Sequence, residues 1–307
     1  MNIVVTGAGA MGSLFGGYLS KRNNVLLYDV SKETVSAINS RGLEITEPDG
    51  TSGLYRPSAT GDPSAAPFKK ADLVIVFVKA MHTRQALSAV SPLIGPGTYL
   101  MSLQNGSGHE ETLLEFVEED RTVIGTTQHN AAVLAPGRVR HGGSGITHIG
   151  KLSGDSSSLR PIAEAFTLCG LETDTQDDVK RLVWEKLLTN ISASALTAVF
   201  QSPLGFISSN PYAWALCEEL LREAFQVSHA DGVDFDAEKE ISKVRAVCEG
   251  SPDGITSISA DIKAGRKTEV DTISGSVVRK AERYGVPAPR HEMVVKLLHA
   301  LEGRIGG

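Results

Sequence analysis

Cysteine is scarce: the 307-residue chain has only Cys169, Cys217 and Cys248, an odd number, far apart and with no CxxC pair. That excludes a disulfide framework and a thiolate zinc site, and the thiols read as reduced and buried in a cytoplasmic protein. The eight histidines are scattered with no HExxH or similar spacing, so no metal site is expected. No apolar run reaches membrane-spanning length, and no basic stretch leads into an apolar leader; the apolar residues near the start read as a first strand. Positive charge is not in excess: 30 Lys and Arg stand against 36 Asp and Glu, a net charge of −6, which argues against a nucleic-acid or anionic-membrane partner. Repeats and low-complexity tracts are missing as well. What is left, 41% hydrophobic and 21% charged residues, is an ordinary globular make-up with length for about two domains.

What is present begins at the start of the chain. Ile3-Val4-Val5 leads into Gly7-Ala8-Gly9-Ala10-Met11-Gly12, and an amphipathic segment follows over 13–21. Strand, glycine turn and helix come in the order a dinucleotide needs. Gly7 permits the tight turn, Gly9 lets the backbone approach a pyrophosphate, and Gly12 lets helix and strand pack closely. Ala10 and Met11 complete the cofactor-binding loop at the helix N-terminus, which faces the negative charge. A second apolar run, Val25-Leu26-Leu27-Tyr28, ends in Asp29, twenty residues after Gly9, where an acid can accept hydrogen bonds from an adenosine ribose. The bland alternative is a βαβ turn without a ligand, and the strand on one side with the acid on the other weighs against it.

The first half alternates strands and helices. Ser31 is a plausible N-cap for a short helix. The run 72–78 reads as a buried parallel strand ending at Lys79, 82–93 has helical period, 98–103 is a strand ending in Gln104-Asn105-Gly106, 110–118 a helix, and another strand starts at Thr122. From 137 to 152 the turn-rich pattern predicts an antiparallel edge to the sheet. Beyond about 177 nearly everything has helical period, with helices expected over 178–199, 212–230, 237–248, 269–284 and 290–301. The fold class is therefore α/β: a Rossmann-type doubly wound dinucleotide-binding domain over 1–176 and an all-α substrate and catalytic domain over 177–307. The tail 303–307 is expected to fray.

In open α/β sheets ligands lie beyond the carboxyl ends of the strands, where Asp29, Lys79 and Asn105 stand. A cation ending so apolar a strand suits a phosphate, a ribose or a reacting group; a solvated loop lysine is the alternative. Lys186, Asn190 and Ser194 are spaced i, i+4, i+8, each step turning roughly 40° past a full circle, so they form one polar stripe on an otherwise apolar helix. Such a stripe faces either solvent or a polar ligand. The stretch 257–269 reads only as a loop and a helix start, with Thr268 a cap and Glu269 favoured by the helix dipole.

Together these blocks resemble the ketopantoate reductase family: GAGAMGS, FVKA (77–80), LQNG (103–106), GTTQHNA (125–131), GITHIG (145–150), WEKLLTN (184–190) and DIKAGRKTEVDTISG (261–275). The resemblance implies reduction of 2-dehydropantoate, or another 2-oxo acid, with NAD or NADP, giving a D-2-hydroxy acid. It implies that Lys186 is the general acid and that Glu269 orients it. Asn190, Ser194 and Ser257 fall at substrate-binding positions, and Lys79 and Asn105 at the nicotinamide-ribose end of the cofactor site. The chemistry agrees, because a developing alkoxide needs a positioned proton donor.

Ser194 stands where the family often has a second asparagine, and Leu204 and Gly254 stand where some members carry asparagines. Fewer amides suit a substrate with fewer hydroxyls, such as a branched or aromatic 2-oxo acid. Asp29 would repel a 2′-phosphate and favours NAD, although Lys32 lies nearby. Two alternatives remain at this level: a non-catalytic dinucleotide-binding regulator, and a β-hydroxyacid dehydrogenase or imine reductase. The partner is a small molecule. Apolar helix faces suit a homodimer, and core packing accounts for them equally well.

Overall fold

The computed structural model of the protein describes residues 1–152 and 154–303; the tail expected to fray lies, beyond Gly303, outside the described residues. The chain divides into two compact units, Met1–Gln104 with His109–Val179, and Asn105–Gly108 with the residues from Lys180 onward.

The first unit holds strands β1 (Asn2–Thr6), β2 (Asn24–Tyr28), β3 (Leu43–Thr46), β4 (Ser52–Tyr55), β5 (Ser58–Thr60), β6 (Leu73–Val76), β7 (Tyr99–Ser102), β8 (Thr122–Thr127), β9 (Asn130–Ala135), β10 (Arg138–Gly143), β11 (Thr147–Lys151) and β12 (Thr173–Thr175). Its helices are α1 (Ala10–Leu19), α2 (Lys32–Arg41), α3 (Thr83–Val90), α4 (His109–Leu113) and α5 (Arg160–Thr167). Eight strands form one sheet in the order β12-β11-β8-β7-β6-β1-β2-β5. From β8 to β5 every neighbour is parallel, with Val4 opposite both Leu26 and Val74. Ile3, Val4, Val5 and Leu73 to Val76 are fully buried, as strands covered on both faces must be. Ser31 caps α2 by accepting the Thr34 N–H, as its sequence position suggests.

Two local expectations change. The segment 138–143 is not an edge of the main sheet. It joins a separate four-stranded sheet, order β4-β3-β10-β9, parallel to β3 and antiparallel to β9. β11 is antiparallel to β8 as expected, yet it lies inside the main sheet, with β12 beyond it. The burial of each strand explains the split. β10 buries Val139 and His141 and exposes Arg138 and Arg140, so it suits a half-solvated sheet, whereas β11 buries residues on both faces. The helix expected over 110–118 closes at Leu113, since acidic residues at its far end would oppose the helix dipole.

The second unit is helical: α6 (Val179–Thr189), α7 (Ala195–Phe200), α8 (Leu204–Ser209), α9 (Pro211–Ala230), α10 (Ala237–Gly250), α11 (Ser257–Lys263), α12 (Ser274–Tyr284) and α13 (Pro289–Gly303). Its core gathers Trp184, Leu187, Leu188, Ile191, Cys217, Leu221, Val277 and Leu298. Each such side chain contributes roughly 1.5–3 kcal/mol when taken out of water. Asn210 caps α9 by accepting the N–H groups of Tyr212 and Ala213, with Pro211 in the first turn where it lacks no needed donor. The start of α13 is capped from another helix: Glu223, buried on α9, accepts the Arg290 and His291 N–H groups. The single helix expected over 178–199 is α6 and α7 joined by a π-helical segment, Asn190–Ser194. The helix expected over 269–284 begins only at Ser274, which leaves Glu269 in a bend ahead of it.

Candidate active site

The first unit holds the glycine loop, the candidate dinucleotide site. Gly7 has φ of 91°, a left-handed conformation that glycine adopts without strain, and its N–H donates to the Tyr28 carbonyl at 2.8 Å. A Cβ on Gly12 would collide with the Gly7 carbonyl oxygen, so the turn and the helix start depend on each other. Gly9 is different: a Cβ there would meet no described atom within 4 Å. The protein gives no packing reason for glycine at that point, and open space over a helix N-terminus suits a pyrophosphate. Gly9 caps α1 without a side-chain hydrogen bond, and the first turn holds no acid that would compete with an anion.

Asp29 closes this loop. Its Oδ2 accepts the Ala8 N–H at 2.7 Å and its Oδ1 the Ser31 N–H at 2.8 Å. Each oxygen keeps a lone pair for a ribose hydroxyl. The next residue, Val30, is 80% exposed. Lys79 follows β6 and opens the 3-10 turn Ala80–His82, half-buried. Gln104 ties this end of the sheet together by donating to the Val78 carbonyl at 2.6 Å and to Thr83 Oγ1 at 2.9 Å while accepting from Ser102 Oγ. The sequence offered only its place before Asn105 as a signal for that role.

The second unit holds the residues expected to be catalytic. Lys186 lies near the end of α6, half-buried. Its side chain keeps some surface, but the ammonium is crowded by protein atoms. Desolvation pulls its pKa down to about 8, and the Glu269 carboxylate opposes that shift. Asn190 and Ser194 open and close the π-helical segment. An i→i+5 turn holds more residues than an α-turn, so it offsets the drift of a four-residue spacing and keeps the polar stripe in line. Neither side chain has a hydrogen-bond partner among the described residues, although Ser194 is only 8% exposed. Ser257 begins α11, one residue after its cap. That cap, Thr256, was not singled out from the sequence. Its hydroxyl pairs with Thr197 Oγ1 at 2.8 Å and approaches the Ser194 carbonyl at 3.5 Å, which places Ser257 beside the π-segment.

Asn105 belongs with this unit. Gly106 has φ of 99°, and Ser107 donates its N–H to the Thr272 carbonyl at 2.9 Å, so the segment 105–108 packs on the turn that carries Glu269. Thr268 does not cap a helix. Its hydroxyl donates to Glu302 and accepts the Val270 N–H, because the helix starts later than the pattern indicated. No group of three or more His, Cys, Asp or Glu residues that could hold a metal occurs among the described residues.

The family described as "Ketopantoate reductase PanE/ApbA" matches residues 3–154, and "Ketopantoate reductase PanE/ApbA C terminal" matches 178–302. The 2-dehydropantoate 2-reductase of Halobacterium salinarum is 35% identical over 291 residues, covering 94% of this chain and 95% of that one. That of Pyrococcus abyssi is 30% identical over 309 residues, covering 99% and 100%. Among solved structures, D-mandelate dehydrogenase with NADH and anilino(oxo)acetate superposes with a TM-score of 0.92 at 28% identity, over 100% of this chain and 99% of that one. A PanE/ApbA family ketopantoate reductase from Ralstonia eutropha gives 0.90 at 29% identity, over 100% of both. With the glycine loop in one unit and the lysine–glutamate pair in the other, the chain belongs to the ketopantoate reductase family, NAD(P)-dependent oxidoreductases acting on a CH–OH group.

Proposed function

We propose that this enzyme reduces the C2 carbonyl of a 2-oxo acid, with 2-dehydropantoate as the leading substrate and Lys186 as the general acid. When bound, the reduced nicotinamide supplies the hydride to C2. The residues of the chain do the rest. Lys186 donates a proton to the carbonyl oxygen as negative charge builds there, leaving a neutral amine and a D-2-hydroxy acid. Glu269 keeps the lysine protonated against the desolvation that surrounds it. Asn190, Ser194 and Ser257 present the hydrogen-bonding groups that hold the substrate, and Lys79 and Asn105 serve the nicotinamide-ribose end of the cofactor. The observation that carries this reading is Lys186: a lysine whose pKa falls to about 8 can both hold and release a proton near neutrality. NAD is the favoured cofactor, because Asp29 fixes a negative charge where a 2′-phosphate would lie.

A second reading, a D-2-hydroxyacid dehydrogenase for branched or aromatic 2-oxo acids, has its own support. The Leu204 N–H donates to the Gly254 carbonyl at 3.1 Å, and a Cβ on Gly254 would stand 2.8 Å from the Ser251 carbonyl oxygen and 3.1 Å from Leu204 Cδ1, so the two residues pack together and this corner carries no side-chain amide from either position. Steady-state turnover of 2-dehydropantoate, 2-oxoisovalerate and phenylglyoxylate with NADH and NADPH separates the two. A Lys186→Ala variant is expected to lose about two to four orders of magnitude in kcat while still binding NAD(P)H. Unchanged turnover in that variant would sink the assigned chemistry.

A further inference from the structure

On the reading that Glu269 supports Lys186, we infer that Glu302 is a positioning residue for this reaction, holding Glu269 in place through the backbone and hydroxyl of Thr268. Glu302 sits in the last turn of α13, far from Glu269 in sequence, and no motif marks it. Its Oε1 accepts both the Thr268 N–H at 2.7 Å and the Thr268 hydroxyl at 2.6 Å. Thr268 immediately precedes Glu269, and its oxygen in turn accepts the Val270 N–H at 3.2 Å. The residues on both sides of Glu269 are therefore fixed by one carboxylate.

The other end of the turn is fixed through the same carboxylate. His299 Nδ1 lies 3.0 Å from Glu302 Oε2, and its Nε2 lies 3.0 Å from Asp271 Oδ1. A neutral imidazole has one N–H, so bridging two carboxylates calls for the imidazolium. The Glu302 hydrogen bond and Asp271 raise the His299 pKa, in agreement with that geometry. The titratable groups facing His299 are Glu302 on its own helix and Asp271 on the turn; Arg279 reaches the turn through the Asp271 carbonyl at 2.8 Å. The Glu269 carbonyl accepts the Thr272 and Ile273 N–H groups at 3.1 and 3.0 Å. The turn is thus closed on itself and anchored at two points to α13, which fixes the backbone from which the Glu269 side chain projects.

The consequence is measurable, because Glu269 raises the pKa of Lys186. In Glu302→Ala the turn loosens, Glu269 drifts, and kcat for 2-dehydropantoate falls about ten- to a hundredfold. The KM for NADH stays near wild type. The alkaline limb of the kcat profile moves to lower pH, as it does when the Glu269 charge is removed by Glu269→Gln. Glu302→Gln keeps acceptors for Thr268 and a donor for a neutral His299, and it restores both kcat and the limb. Thr268→Val, which removes only the hydroxyl, shifts the limb the same way by less, and serves where Glu302→Ala does not fold by circular dichroism. A folded Glu302→Ala with the wild-type limb, or a Glu302→Gln as impaired as the alanine, overturns the inference. If Glu269→Gln itself keeps the wild-type rate and limb, what fails is the role of Glu269, not its anchoring by Glu302.

Discussion

The Asp29 carboxylate accepts the Ala8 N–H at 2.7 Å, tying the end of β2 to the glycine turn. The group proposed to discriminate between cofactors therefore also shapes the glycine loop. Asp29→Asn keeps an acceptor for Ala8 and removes the charge. The ratio of kcat/KM for NADPH over NADH should rise by about tenfold or more, the scale of a lost repulsion of one to two kcal/mol. Asp29→Ala should shift the ratio similarly and weaken both cofactors, because Ala8 and Ser31 lose their acceptor. A wild-type enzyme that prefers NADPH would refute the argument.

Gly9 and Gly12 should respond differently to the same added methyl group. No described atom lies within 4 Å of a Cβ on Gly9, so Gly9→Ala should keep the wild-type Tm and lose about tenfold or more in NADH affinity. Gly12→Ala strikes the Gly7 carbonyl and should lower stability by about 1–3 kcal/mol, read as a drop in Tm without any cofactor present. Calorimetry alongside NADH fluorescence titration checks both.

On the proposed mechanism, Lys186 sets the pH dependence. With its pKa near 8, the ammonium needed for reduction is present below that value and lost above it. The kcat for reduction should be flat from about pH 6 to 7.5 and fall above 8, while oxidation of the hydroxy acid, which needs the neutral amine, should rise through the same range. A Lys186→Met variant should lose this limb together with most of its rate.

Asp231 is a structural counterpart, distinct from the chemistry. It is 5% exposed, and it accepts from Trp184 Nε1 at 2.8 Å, Lys280 Nζ at 2.9 Å and Tyr284 at 2.7 Å, with Lys180 Nζ 3.0 Å away. Burial pushes its pKa up, and these hydrogen bonds outweigh burial and bring it to about 2. The folded value lies below the unfolded one, so the stabilisation is complete above about pH 4 and is lost as pH falls toward 2. Asp231→Asn should cost about 2–4 kcal/mol at pH 7, leaving two lysines without their counter-charge, and should flatten the acid limb of a urea-denaturation series.

The glycine loop, the acid twenty residues beyond Gly9 and the family of the chain were legible in the sequence, because they rest on local backbone needs and on blocks of fixed order. The stripe of Lys186, Asn190 and Ser194 was legible as a helix face, but not the π-turn, whose extra residue depends on how the surrounding helices pack. Propensity also put Glu269 at a helix start, whereas its turn is closed by Glu302 and His299 from the far end of the chain. The split of 138–151 between two sheets was hidden for the same reason, since alternation marks a strand and not its neighbours. Sequence by itself determined which groups are available: a glycine loop after a strand, a lysine on a polar helix stripe and an acid at the end of the second strand. Tertiary structure alone decided what surrounds them. The desolvation that brings Lys186 to about 8, and the carboxylates that fix the Glu269 turn, come from residues far apart in the chain that only folding brings together.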